Sequence, residues 1–375
     1  MIDKGFDFDA LRPYRDDEVQ QAVLTVVNDA YFPLVVNYLQ PGKDVEMVKE
    51  SLLQIRTVKE FQEQVMLMAI SAIVEKTSDG LTSDGFENID NKTRHIFIAN
   101  HRDIMLDAAL LDVLLYQHGI DTCQITFGSN LMKGDMVINV GKLNKMFRII
   151  RGGNVRDFYR NSLEVSAYMR HVVTEQDESV WIAQRNGRTK NGIDQTEIGV
   201  LKMFSMSSEK NFVDNLDELH ITPISISYEY EPCDFLKTAE LYISRHLRYE
   251  KSENEDFNSI LTGIRQKKGK IHLSVTPPIT REELEHCDRK EKKEKFEELG
   301  RIIDERINGH HKLFKNNFIA HDLINNAMNF NEFYTKEDKE NFVDYMRAGL
   351  DAMNLDGERS EIEKVFLEIY ANQVR

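Results

Sequence analysis

Cysteine is scarce in this 375-residue chain: Cys123, Cys233 and Cys287 lie far apart, with no Cys-x-x-Cys pair. An odd, sparse count argues against a disulfide framework and a zinc ribbon, and it points to a reducing compartment. Long apolar runs are missing too. Nothing approaches the roughly 18 residues of a membrane span, and "YFPLVV" at 31–36 is among the longest. The opening stretch "MIDKGFDFDALRPYRDDEV" is polar and acidic, so it does not read as a secretory signal. A cytoplasmic protein is expected, with any membrane contact peripheral at the inner face. Positive charge is also in deficit, with 48 Lys and Arg against 63 Asp and Glu and a net charge of −15. That balance disfavours general nucleic-acid binding, which demands a cationic face. No internal repeat or low-complexity tract is present.

What remains is an ordinary folded composition, 41% hydrophobic and 30% charged. Residues 15–40 carry apolar side chains at helical spacing (Val19, Ala22, Val23, Val26, Val27, Ala30). Pro41-Gly42 breaks that pattern, and a second helical stretch runs from about Val45 to Ile73. The turn-rich "KTSDGLTSDGFENIDNKT" (76–93) reads as a linker or long loop. From residue 95 short β-rich runs appear: "HIFIAN", "TCQITFG", "SVWIAQ", "ITPISISYEY" and "KIHLSVT". Helical segments at 106–117, 155–175 and 195–206 separate them. This alternation predicts an α/β fold, a mostly parallel central sheet flanked by helices. The expected organisation is a helical N-terminal region (1–90), an α/β domain (91–284) and a helical C-terminal extension (285–375).

Charge is unevenly spread. Residues 141–190 hold ten Lys or Arg against five acids, a local +5 that reads either as an anion site or as a solvated helix face. Four constellations bear on chemistry. In "FIANHRDIMLDAALLDVLL" (98–116) a strand delivers His101 to its carboxyl end, where open α/β sheets place their active sites. A protein-kinase reading of "HRD" fails: the metal-binding Asn position holds Ala108, and no Gly-rich loop precedes it. A His–carboxylate pair is the second reading, with Asp107 or Asp103 as partner. On a regular helix residues six apart point ~240° apart, so Asp107 reaches His101 only across a turn. The third reading is a strand-end His beside an N-capping Asp, without chemistry.

"WIAQRNGRTKNG" (181–192) is an apolar strand running into a loop with Arg185, Gly187, Arg188, Lys190 and Gly192. Glycine lets backbone approach a ligand, and arginine forks clamp phosphate; a basic surface turn has the same composition. "KMFRIIRGGNVRD" (145–157) repeats the theme with Arg151, a Gly pair and a helix start. The histidines, His310-His311 among them, lack ligand spacing, so no metal is expected.

The order of "FIANHRDIMLDAALL", "FRIIRGGN", "WIAQRNGRTKNG" and "ITPISISYEYEPC" resembles the four blocks of the glycerolipid acyltransferase family. That family includes glycerol-3-phosphate and 1-acylglycerol-3-phosphate acyltransferases. The resemblance covers about residues 95–276. It implies His101 as the base that takes the proton of an acceptor hydroxyl, and Asp107 as its partner, with Asp103 the alternative. Asp107 gives His-x5-Asp where the family has His-x4-Asp. Arg151, Gly187 and Arg188 match family positions that bind the acceptor's phosphate; Arg185 and Lys190 lie in the same loop. Pro223 matches the fourth block's proline. Where the family has Glu before its Gly, this chain has Gln184, Arg185 and Asn186, none of them acidic.

The implied reaction is transfer of a fatty acyl group from a thioester, acyl-CoA or acyl-acyl-carrier-protein, to a hydroxyl of glycerol-3-phosphate or a lysophospholipid. No cofactor is implied beyond the acyl donor. Two alternatives stay open: a relative that binds acyl donor or lipid without turnover, and one that acylates a different acceptor.

Overall fold

A computed structural model describes residues 6–150 and 152–374, and a seven-stranded sheet forms its centre. The strands are β1 Ser78–Asp84, β2 Ile96–Ala99, β3 Gln124–Gly128, β4 Met146–Ile149, β5 Val180–Ala183, β6 Thr222–Tyr228 and β7 Gly269–Val275. Their order across the sheet is β1-β7-β6-β2-β5-β3-β4. Every neighbouring pair is parallel except β6 with β7. The fold is therefore α/β, a mostly parallel sheet with helices on both faces. The chain leaves β2 toward β3 on one side and returns through β5 to β6 on the other. The carboxyl end of β2 thus lies at a reversal of strand order, where such sheets open a crevice.

Strand β2 is buried throughout, and its side chains alternate between faces. Ile96 and Ile98 enter one core with the helices Val155–Thr174, Ile198–Phe204 and Glu294–Gly309. Phe97 and Ala99 enter the other, with Leu106–Gln117 and Leu67–Thr77. Every residue from Leu106 to Leu115 is buried, so this helix is a core element rather than a surface one. Each of its buried leucines contributes about 1.5–3 kcal/mol of transfer free energy. Its one buried acid inside that run beyond the first turn, Asp112, accepts from the Cys123 backbone N–H and thiol at 2.9 and 3.2 Å. Burial pushes that carboxyl up to about 6.

Several expectations need correction. Ser78–Asp84, within the stretch read as a linker, is the edge strand β1, parallel to β7. Its Ser, Asp and Gly residues suit an edge whose outer face meets water. The sheet therefore begins inside the N-terminal region expected to be helical. Met146–Ile149, absent from the β-rich runs, forms the opposite edge. The helical stretches are also broken into pieces. Asp16–Val27 stops before Phe32–Leu39, and Val45–Leu52 before Val58–Phe61, which continues through a π turn at Gln62–Met66 into Leu67–Thr77. The C-terminal helices Lys315–Ile324, Lys336–Ala352 and Arg359–Ala371 build a further apolar cluster together with Tyr230 and Tyr242.

Candidate active site

The site starts where β2 runs out. After Ala99 the chain forms a tight turn before the helix that begins at Leu106. That turn carries His101 back over the first helical turn, and His101 Nδ1 lies 2.9 Å from Asp107 Oδ2. The same oxygen accepts the backbone N–H groups of Arg102 (2.6 Å) and Asp103 (2.9 Å), while Oδ1 accepts the Tyr228 hydroxyl (2.8 Å). Four donors thus fix one carboxylate, and the carboxylate in turn fixes the turn. Because a carboxylate only accepts, Nδ1 carries the imidazole proton and Nε2 is left as the basic nitrogen. His101 keeps 13% of its side chain accessible, against 1% for Asp107. The imidazole also meets the Trp181 ring edge-on, at 5.6 Å between centroids. Burial, and then the Asp107 charge, push the Tyr228 hydroxyl well above its ordinary range, so it stays a donor.

Asp103 does something else. Its Oδ1 accepts from Met105 N (2.9 Å) and Leu106 N (2.8 Å), closing the start of the helix. Burial and the neighbouring Asp107 charge raise its pKa. Arg102 is likewise a framework residue, 1% exposed. It pairs with Asp194 and, at 3.1 Å, with Glu231. Lys237 completes the group, bonding Glu231 at 2.6 Å and the Arg102 carbonyl at 2.9 Å. Two cations facing two carboxylates leave no net buried charge.

The loop after β5 lies beside this turn. Thr189 N–H donates to the His101 carbonyl at 2.7 Å, and Thr189 Oγ1 to Asp194 at 2.7 Å. Gly187 takes a left-handed conformation, with open space where a Cβ would stand, and its positive φ lets the loop turn sharply. Arg188 Nη2 donates to Ser259 Oγ at 3.0 Å, while its Nη1 and the Arg185 Nε are buried without a partner among the described residues. Lys190 is engaged with Glu240. Gln184 is fully buried and turned toward Thr196. A carboxylate does reach the loop, because Glu197 Oε2 accepts the Asn186 N–H at 3.1 Å. Arg151 lies outside the described residues.

The excess of cations in 141–190 is not one patch. Arg170 is buried against Glu218 and Asn215, and Lys145 pairs with Glu178 at 3.0 Å. Pro223 sits in β6 opposite Ile98 of β2. Sequence reasoning missed Tyr228, Trp181, Thr189 and the Arg102 partners. Tyr228 and Trp181 lie in quoted blocks, but which face of a strand they occupy follows only from register.

The structure thus sets a strand-end histidine, hydrogen-bonded to a carboxylate, beside an arginine-bearing loop on a mostly parallel sheet. Residues 80–227 match the family model described as Acyltransferase. No curated protein matches the chain. Among solved structures, the 1-acyl-sn-glycerophosphate (LPA) acyltransferase PlsC from Thermotoga maritima aligns at 14% identity. That alignment covers 78% of this chain and 94% of the PlsC chain, with a TM-score of 0.38.

Proposed function

We propose that this acyltransferase moves a fatty acyl group from a thioester, acyl-CoA or acyl-carrier-protein, to a hydroxyl of glycerol-3-phosphate or a lysophospholipid. The observation that carries the reading is the His101–Asp107 pair at 2.9 Å. His101 Nε2 takes the proton of the acceptor hydroxyl as its oxygen attacks the thioester carbon. Asp107 holds the tautomer and steadies the imidazolium. The tetrahedral intermediate collapses with cleavage of the C–S bond, and His101 returns the proton to the leaving thiolate. Ester and free thiol are the products, and no acyl-enzyme is needed. Arg188 and Arg185, each with a buried N–H unpartnered among the described residues, bind the acceptor's phosphate beside the Gly187 turn, and the family resemblance assigns Arg151 the same task. Glu197, bound at Asn186, supplies an acid beside the loop where the family motif has its glutamate.

Among the described residues no single helix is long and apolar enough to cross a membrane. Leu24, Tyr31, Leu34, Val35 and Met47 nonetheless expose apolar surface on the N-terminal helices. That face supports peripheral contact at the cytoplasmic side of a membrane, where a lysolipid acceptor would reside. The test is to incubate the purified chain with acyl-CoA or acyl-carrier-protein and each acceptor, and to follow ester and thiol together. Stoichiometric ester and thiol support the reading; donor bound but never consumed with any hydroxyl acceptor overturns it.

A further inference from the structure

The helix Arg359–Ala371 lies outside the matched span of 80–227, yet it grips the site from behind. Past Lys190 the phosphate loop runs up against it. Asn372 Nδ2 donates to the Asn191 carbonyl at 2.9 Å. Next to that bond Gly192, at φ +77°, passes so close that a Cβ there would stand 2.2 Å from the Ile369 carbonyl oxygen. Three residues upstream of Gly192, Thr189 holds the His101 carbonyl. One short stretch of loop therefore joins the C-terminal helix to the catalytic turn. A cavity of about 360 Å³, lined by Gly192, Asp194, Arg102, His311 and Gln373 among others, opens beside that stretch. A second connection runs in parallel. The Tyr370 hydroxyl donates to Asp234 at 2.6 Å and accepts the Glu231 N–H at 3.0 Å. Glu231 in turn binds Arg102 and Lys237.

We propose that the C-terminal helix is a positioning element of the acyltransferase site, and that Asn372 sets the phosphate loop through the Asn191 carbonyl. The consequence for catalysis rests on the acyl-transfer reading above; the mechanical claim does not. A loop released at Asn191 keeps Arg185 and Arg188 but holds them less often in the binding geometry. Acceptor affinity then falls while proton transfer by His101 continues.

The experiment compares full-length wild type with Asn372→Ala and with Asn372→Asp, which keeps the volume but removes the donor. Hydrogen exchange by mass spectrometry reads the loop, acyl-transfer kinetics with glycerol-3-phosphate read the site, and thermal unfolding reads stability. In both variants, exchange across 186–192 should quicken by about tenfold, the equivalent of one hydrogen bond. The acceptor KM should rise several-fold while kcat, the donor KM and the melting temperature hold. Wild-type exchange across 186–192, or an acceptor KM that rises only in step with lost thermal stability, overturns the proposal. Faster exchange in the variants of a chain that transfers no acyl group keeps the positioning claim and overturns the acyl-transfer reading alone.

Discussion

His101 and Asp107, six residues apart in the chain, share a 2.9 Å hydrogen bond because the residues between them fold into a turn. The Asp107 carboxylate templates that turn, since its Oδ2 also takes the amides of Arg102 and Asp103. The spacing is thus accommodated by the backbone rather than by a distorted helix. The helix proper begins only at Leu106, closed by Asp103.

The two aspartates should separate cleanly on mutation. Asp107→Asn removes the negative charge that steadies the imidazolium, and kcat should fall by roughly 10²–10⁴-fold. Asp103→Ala removes the acceptor for Met105 and Leu106 and should cost about 1–2 kcal/mol of stability. Its kcat should stay within a few-fold of wild type. Parallel thermal unfolding and steady-state kinetics check both, and the reverse pattern would make Asp103 the functional carboxylate.

The loop cations should also differ. Arg188 has a buried N–H without a partner among the described residues, whereas Lys190 is taken up by Glu240. Arg188→Ala should raise the acceptor KM by at least tenfold, the effect of losing a charge-assisted bond. Lys190→Ala should change it little. Substrate-saturation curves with a phosphorylated acceptor decide the order.

Much of this site could be read from the residues, and the unread part has a physical cause. The run "FIAN" before His101 and the apolar helix after Asp107 are strong local signals, and both elements form where expected. β1 escaped because an edge strand with a wet face needs no apolar alternation. Arg102 looked like part of a motif, yet its partners Asp194 and Glu231 are 92 and 129 residues away. No local pattern announces such a pairing. The same holds for Tyr228, which meets Asp107 only because β6 lies next to β2.

Stability should depend on pH through His95, which is 3% exposed at the start of β2. Burial lowers its pKa from 6.5 to about 4, so it stays neutral in the folded chain. The unfolded chain takes up a proton below about pH 6.5, and the folded chain only near pH 4. Stability from this group is therefore complete above 6.5 and declines as pH falls toward 4, by at most roughly 3 kcal/mol. Urea unfolding at pH 7, 6 and 5 should show the decline, and His95→Gln should lessen it, leaving the share of His311, whose pKa burial likewise lowers to about 4. An unchanged slope in the variant would assign the decline to other groups.

The central claim is that His101 takes the acceptor's proton. Mass-spectrometric rates of ester formation from an acyl thioester and glycerol-3-phosphate or lysophospholipid, for wild type and a folded His101→Ala, test it most directly. The expected result is ester from wild type and a loss of about 10³-fold or more in the variant. Ester formation by His101→Ala at the wild-type rate would contradict the assignment.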